Sequence, residues 1–167
     1  MNGTQPIRLL ARYNAWANKT LFDAVAVLPA GEAVKERPTL FRNIVNTLNH
    51  LYAVDLIWQA HLQGREHGIE ALNTVLHADL AQLWQAQQVI DNWYISWSEA
   101  LAETAANEMV SFTLIGGNRG AMRRGDIMVH VVNHTSYHRG FVADLFFHVP
   151  ARPPLTDLPV YLMQCPA

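Results

Sequence analysis

A chain of 167 residues with 12 Lys and Arg against 14 Asp and Glu carries a formal charge of −2, which excludes the basic face that phosphate-backbone binding requires and argues against nucleic acid as a partner. Half of the residues are apolar, five Trp, five Tyr and six Phe among them, so disorder is excluded and a folded core is expected, at a length that suits one domain over residues 1–167. No apolar run approaches the roughly 20 residues that cross a bilayer, the N-terminus lacks a signal-peptide pattern, and Cys165 is the one cysteine, so no intrachain disulfide is possible and a cytoplasmic location is expected.

Pro6 stands where a first helical turn tolerates it, and Ile7, Leu10, Tyr13, Ala17, Leu21 and Val25 then recur at helical spacing until Pro29 and Gly31. Ala30 to Pro38 reads as a charged, turn-rich loop. Thr39 is the expected cap of a second helix whose apolar set is Phe41, Ile44, Leu48, Leu51 and Trp58, broken by Gly64 and Gly68. A looser stretch from Ile69 to about Leu76 follows. Asp79 suits the first turn of a third helix, with Leu80, Leu83, Ile90, Tyr94, Trp97 and Leu101 on its apolar face.

Val110, Phe112 and Leu114 alternate with polar neighbours ahead of Gly116-Gly117-Asn118-Arg119-Gly120, a strand–turn–strand pattern with a very short second strand around Ala121 to Arg123. Gly125-Asp126 opens a fourth helix that runs through Ile127, Val131, Phe141, Leu145 and Phe146 and stops before Pro150, with Asp126 near its positive end. The proline-rich tail cannot form a long helix, and its Leu158, Val160, Tyr161 and Leu162 are expected to pack back on the rest. Four amphipathic helices must bury their stripes against each other, so the pattern predicts an all-α four-helix bundle with a short β-hairpin between the third and fourth helices.

Three of the eight histidines, His130, His134 and His138, are spaced four and four on the fourth helix. Neighbours at that spacing share a face and can grip one ion, but the outer two lie about 12 Å apart along the axis, so His134 pairs with either His130 or His138 and not both. A third ligand must come from elsewhere, and His50, in the apolar seam of the second helix, is a candidate. His61 is about 16 Å further along that helix and cannot share an ion with His50. It reads with His67, His77 and His148 as a surface or boundary residue. Against the metal reading stands the plain alternative that helical histidines fill a core with their hydrogen bonds satisfied. Di-iron bundles use Glu-x-x-His, and no acidic residue here has a His three positions on; no CxxCH haem motif occurs either.

The segment HVVNHTSYHRGFV resembles the C-terminal signature of the DinB family of damage-inducible, YfiT-like proteins, a helix with His-x-x-x-His followed by Arg-Gly. YNAWAN at 13–18, LNHLYAVDLIW at 48–58 and LPVYL at 158–162 are similar in order to the family's first helix, second helix and tail. The resemblance implies an up-down-down-up bundle, one divalent transition metal held by His50, His134 and His138, and a homodimer. It also implies a thiol-dependent activity, with a low-molecular-weight thiol as possible cosubstrate.

Three neutral imidazoles leave a divalent ion with an open position, the pattern of a catalytic site, and suit Zn, Ni or Fe. The expected activity is therefore that of a metal-dependent thiol S-transferase or hydrolase acting on a small molecule, the alternative being a non-catalytic metal-binding or stress-related dimer. Arg139 is a candidate for binding a substrate carboxylate or a thiol cofactor, with an interhelix ion pair as its competing role. Tyr137 and Trp58 are candidates to line a pocket. Asn46, Thr47, Asp55 and Asn133 are positioned to accept the second ring N–H of a ligating histidine.

Overall fold

The structure, a computed structural model, describes residues 3–165. The long helices are α1 (Gln5–Ala26), α2 (Ile44–Gln63), α3 (Leu80–Ala100) and α5 (Arg124–Phe146). Between the last two lie a single turn, α4 (Glu103–Ala106), and the hairpin strands β1 (Met109–Thr113) and β2 (Arg119–Arg123); α6 (Leu158–Gln164) ends the described chain. No helix is long and apolar enough to cross a membrane among the described residues.

Side-chain contacts fix the directions. Asn18 meets Asp91 and Phe22 stacks on Trp84, so α3 runs against α1. Ile7 abuts Gly125 while Asn14 and Asn18 take Arg139, so α5 runs with α1. His50 meets His134 and His138 while Trp58 meets His130, so α5 runs against α2. The result is an up-down-down-up bundle, in which consecutive long helices α1 and α2 sit across a diagonal.

The bundle is layered along its axis. One apolar cluster gathers Ala17, Val54, Trp58, Tyr94, Ile127 and Val131; a second gathers Leu21, Ile44, Leu48, Leu83, Val142 and Phe146. Each buried aliphatic side chain contributes about 1.5–3 kcal/mol relative to exposure, so these clusters supply most of the drive to fold. Between them the residues that face inward are polar: Asn14 and Asn18 from α1, His50 and Asp55 from α2, Gln87 and Asp91 from α3, and Thr135, His138 and Arg139 from α5, all buried.

The caps explain the boundaries. Asp79 accepts the amide N–H of Gln82 at 2.9 Å and starts α3. The second helix starts later than its apolar spacing predicts. Asn43, not Thr39, is the cap, its Oδ1 accepting the Asn46 N–H at 2.7 Å, an arrangement that stabilises by about 1 kcal/mol. Phe41 therefore lies outside the helix. Arg42 takes a left-handed φ of 71°, which costs a non-glycine residue about 1 kcal/mol; its carbonyl accepts the Arg37 N–H at 2.6 Å, and Arg37 itself pairs with Glu32. This knuckle turns Phe41 back over the bundle. Gly64 ends α2 in the left-handed conformation, φ 66° and ψ 29°, that glycine adopts without penalty.

The hairpin runs in register from Met109 opposite Arg123 to Thr113 opposite Arg119, so its second strand is five residues long rather than very short. In the tail, Tyr161 is buried and Leu158 and Val160 are half-buried, whereas Leu162 faces solvent instead of packing back.

Candidate metal centre

Seven residues after its cap, α2 places His50 on the polar layer, and α5 brings His134 and His138 to the same point one turn apart. The Nε2 of His50 lies 3.2 Å from the Nε2 of His134 and 3.2 Å from that of His138. One ligand atom from each of the three lies within 4.8 Å of the others. Four-coordinate tetrahedral geometry with metal–nitrogen bonds of 2.0–2.1 Å sets nitrogens about 3.3 Å apart, so two of the three spacings already match a shared ion.

The tautomer of His50 is fixed. Its Nδ1–H donates to the Leu72 carbonyl at 2.8 Å, because a carbonyl can only accept. The lone pair is then on Nε2, aimed at the other two rings. None of Asn46, Thr47, Asp55 and Asn133 takes this role: Asn46 closes the cap, Thr47 donates to the Asn43 carbonyl, Asp55 joins the core network and Asn133 is exposed. Leu72 belongs to the loop between α2 and α3, which Asn49 clamps. The Asn49 Oδ1 accepts the N–H groups of Leu76 and His77, both at 2.9 Å, and its Nδ2 donates to the His77 carbonyl at 2.7 Å.

The site holds itself uncharged. Burial, with His138, His50 and His130 adding, pushes His134 down to about 3. Burial and then His50 push His138 down to about 4, and burial lowers His50 against the opposing Leu72 contact. At neutral pH the three rings carry no net charge and turn their Nε2 atoms to one point, where the His50 nitrogen offers a lone pair and the others do so whenever their proton is on Nδ1. The Nδ1 atoms of His134 and His138 are buried and have no protein partner.

Aromatic rings surround the group on one side. Phe41 stacks on His50 at 4.3 Å between centroids and meets the edge of His138 at 5.6 Å. Tyr137 and Phe141 each lie 5.1 Å from the His138 ring, and Tyr137 is 63% exposed, so its phenol borders the outer side of the group. His130, the rival that spacing left open, is outside the group; its ring sits edge-on to Trp58 at 4.7 Å and 6.0 Å from His134. Trp58 is a buried core residue, 4% exposed.

Arg139 turns the other way. It is 3% exposed, and its guanidinium donates to Asn14 Oδ1 at 2.7 Å, Asn18 Oδ1 at 3.0 Å and Ser136 Oγ at 2.8 Å, with the Tyr13 ring 5.5 Å away. Of its two expected roles the geometry gives the interhelix one, through amides and not an ion pair: Arg139 ties α5 to α1. It also faces the core acids. Gln87 donates to Asp55 at 2.9 Å and to Asp91 at 3.0 Å, and Asn18 donates to Asp91 at 3.0 Å. Burial and then Asp91 raise Asp55 to about 8; burial raises Asp91 to about 6, with Gln87, Asn18 and Arg139 opposing it. The two titrate as a pair, one proton and one guanidinium neutralising two carboxyl groups.

Phe41, Asn49 and the Leu72 carbonyl escape a reading of the sequence. Phe41 fits helical spacing, Asn49 is an ordinary polar helix residue, and a backbone carbonyl carries no sequence signal.

Comparison with known proteins agrees with this geometry. The family model for the DinB family matches residues 1–164. Protein DinB of Bacillus subtilis (strain 168) is 28% identical over 162 residues, covering 93% of this chain and 92% of that protein. The chain belongs to the DinB family.

Proposed function

We propose, with membership of the DinB family as the premise, that this protein is a metal-dependent enzyme of thiol S-transfer or hydrolysis acting on a small molecule, with one divalent Zn, Ni or Fe ion held by His50, His134 and His138. The observation that carries the reading is the convergence of the Nε2 atoms of three uncharged imidazoles. When bound, such an ion keeps an open position that lowers the pKa of a water toward 7 or holds a thiol as thiolate. The chain's own residues supply the rest. The Leu72 carbonyl fixes the His50 ring, Phe41 and Phe141 keep water from one side, and Tyr137 borders the side where a small substrate enters. A homodimer in the cytoplasm completes the expectation.

The test is metal content and thiol binding. Co(II)-loaded protein should show a thiolate charge-transfer band on addition of a low-molecular-weight thiol, and turnover should follow with an added electrophile or a hydrolysable ester. His50→Ala, His134→Ala and His138→Ala should each lose the ion. Full stoichiometry in all three variants removes the site assignment.

A second reading, a non-catalytic metal-binding dimer, draws on the burial of His50 and His138, at 3% and 6% exposure. It predicts Co(II) binding with no band from any added thiol.

A further inference from the structure

A second polar cavity lies where the last turn of α2 meets the hairpin, with a volume of about 700 Å³. His61 is eleven residues beyond His50 on one helix, about 16 Å along the axis. No small ligand in this cavity reaches the three-histidine group. By sequence His61 and His67 are expected to be surface or boundary residues, and the fold gathers both here with Arg65, Ser111, Phe112 and Arg119.

The floor is aromatic. Phe112 packs edge-on to Trp58 at 5.0 Å and lies 6.1 Å from the His61 ring. Gly120 makes room for it, since a Cβ there would sit 2.5 Å from the Phe112 ring. The polar groups around this floor are mostly donors. The Nε2 of His61 is buried and has no hydrogen-bond partner. The Nδ1 of His67 accepts the Ile69 N–H at 3.0 Å, which leaves the proton of the neutral ring on Nε2. Arg65 bonds Gln63, Gln59 and the Glu66 carbonyl and keeps N–H groups to spare. Arg119 makes no side-chain hydrogen bond to any described residue. Among the described residues Glu66 is the one carboxylate lining the cavity, so two guanidiniums leave a net positive charge.

We propose that this cavity binds a small organic anion, its carboxylate or phosphate held by Arg119, Arg65 and the ring N–H groups of His61 and His67, and its apolar body lying on Phe112. Guanidinium forks match the planar or tetrahedral oxygens of such a group, and charge-assisted hydrogen bonds are about twice as strong as neutral ones. The His61 imidazole acts as a neutral donor: burial, and then His67, lowers its pKa. The buried, unpartnered Nε2 finds in the anion the acceptor that the protein does not provide. The site is independent of the metal centre and stands whether or not that reading does.

The experiment titrates metal-free protein with phenyl phosphate and, separately, with benzoate at constant ionic strength, following the ring C–H resonances of His61 and His67. Saturable shifts of both rings are expected with at least one probe, and the probe that saturates identifies the headgroup. Arg119→Gln, at an exposed strand position, should weaken binding about tenfold. His50→Ala should leave it unchanged. Shifts that stay linear with concentration for both probes, equal affinity in Arg119→Gln, or loss of binding in His50→Ala would each overturn the proposal.

Discussion

Two polar clusters share the middle layer of the bundle, and they solve burial in opposite ways. Around Arg139 the charges answer one another: a guanidinium, two carboxyl groups bridged by Gln87 of which Asp55 holds its proton to about pH 8, and the amides of Asn14 and Asn18. Around His50 the groups are alike. Three uncharged imidazoles bring their Nε2 atoms together, and the Nδ1 atoms of His134 and His138 have no protein partner. A buried polar cluster is therefore not in itself a binding site. The cluster that bonds mostly within itself, with only Asp55 Oδ1 and Gln87 Oε1 left without a partner, is a lock between helices, and the one that gathers three imidazoles at one point could hold a cation.

Removing a member from each cluster should separate the two roles. Arg139→Leu leaves buried carboxyl groups without their cation and should lower unfolding free energy by about 3–5 kcal/mol in urea titrations, while folded protein still binds metal at full stoichiometry. A variant that keeps its stability and loses its metal would break the comparison. His134→Ala should do the reverse. Its zinc affinity, measured against a chromophoric chelator, should fall by more than the roughly hundredfold typical of losing an outer partner, with the stability of the metal-free form unchanged within about 1 kcal/mol.

A subtler change lies in the loop clamp. Asn49→Ala should weaken metal binding about tenfold by loosening the segment that carries the Leu72 carbonyl, and Asn49→Asp, which keeps the acceptor for the Leu76 and His77 amides, should recover part of that loss. If Asn49→Ala lowers stability and leaves metal affinity intact, the clamp is merely structural.

The smallest effect is in the pH dependence of the metal-free protein. The native Asp55 pKa is raised from 3.8 to about 8, so between those values the native state holds a proton that the unfolded chain has released, and stability falls as pH rises. The depressed values of His134 and His138, about 3 and about 4, act in the other direction below the unfolded value of 6.5, where the unfolded chain binds the extra protons. The two trends oppose each other on the acid side. What remains visible is a decline of about 1 kcal/mol per pH unit from 6.5 toward 8, which Asp55→Asn should flatten.

Much of this was legible in the sequence. The periodic apolar positions of Ile7 to Val25 and of Leu80 to Leu101 report helices because each repeat buries the same face. The hairpin showed itself through alternation and Gly116-Gly117. Spacing limited the choice on the fourth helix to His134 with one neighbour, and the structure places His138 there with His50. What stayed hidden depends on contacts rather than on period. Phe41 matches the spacing of Ile44 and Leu48, so only the better cap at Asn43 and the left-handed turn at Arg42 remove it from the helix. Arg139 follows His138 directly, yet one residue along a helix turns the side chain by about 100°, enough to point it to α1 instead of the three-histidine group. The pairing of His61 with His67 arises only when the chain reverses after Gly64.

The bond from His50 to the Leu72 carbonyl gives the loop between α2 and α3 an unusual tolerance profile. Surface loops commonly accept insertions and deletions more readily than helices do. Here the acceptor is main chain, so position 72 is free to drift through almost any residue type without disturbing the imidazole it orients. A deletion of one residue between Gly64 and Asp79 has the opposite character. It preserves every side chain in the centre and should still shift the carbonyl out of register with the Asn49 clamp, so the loop is expected to tolerate new residue types better than a new length.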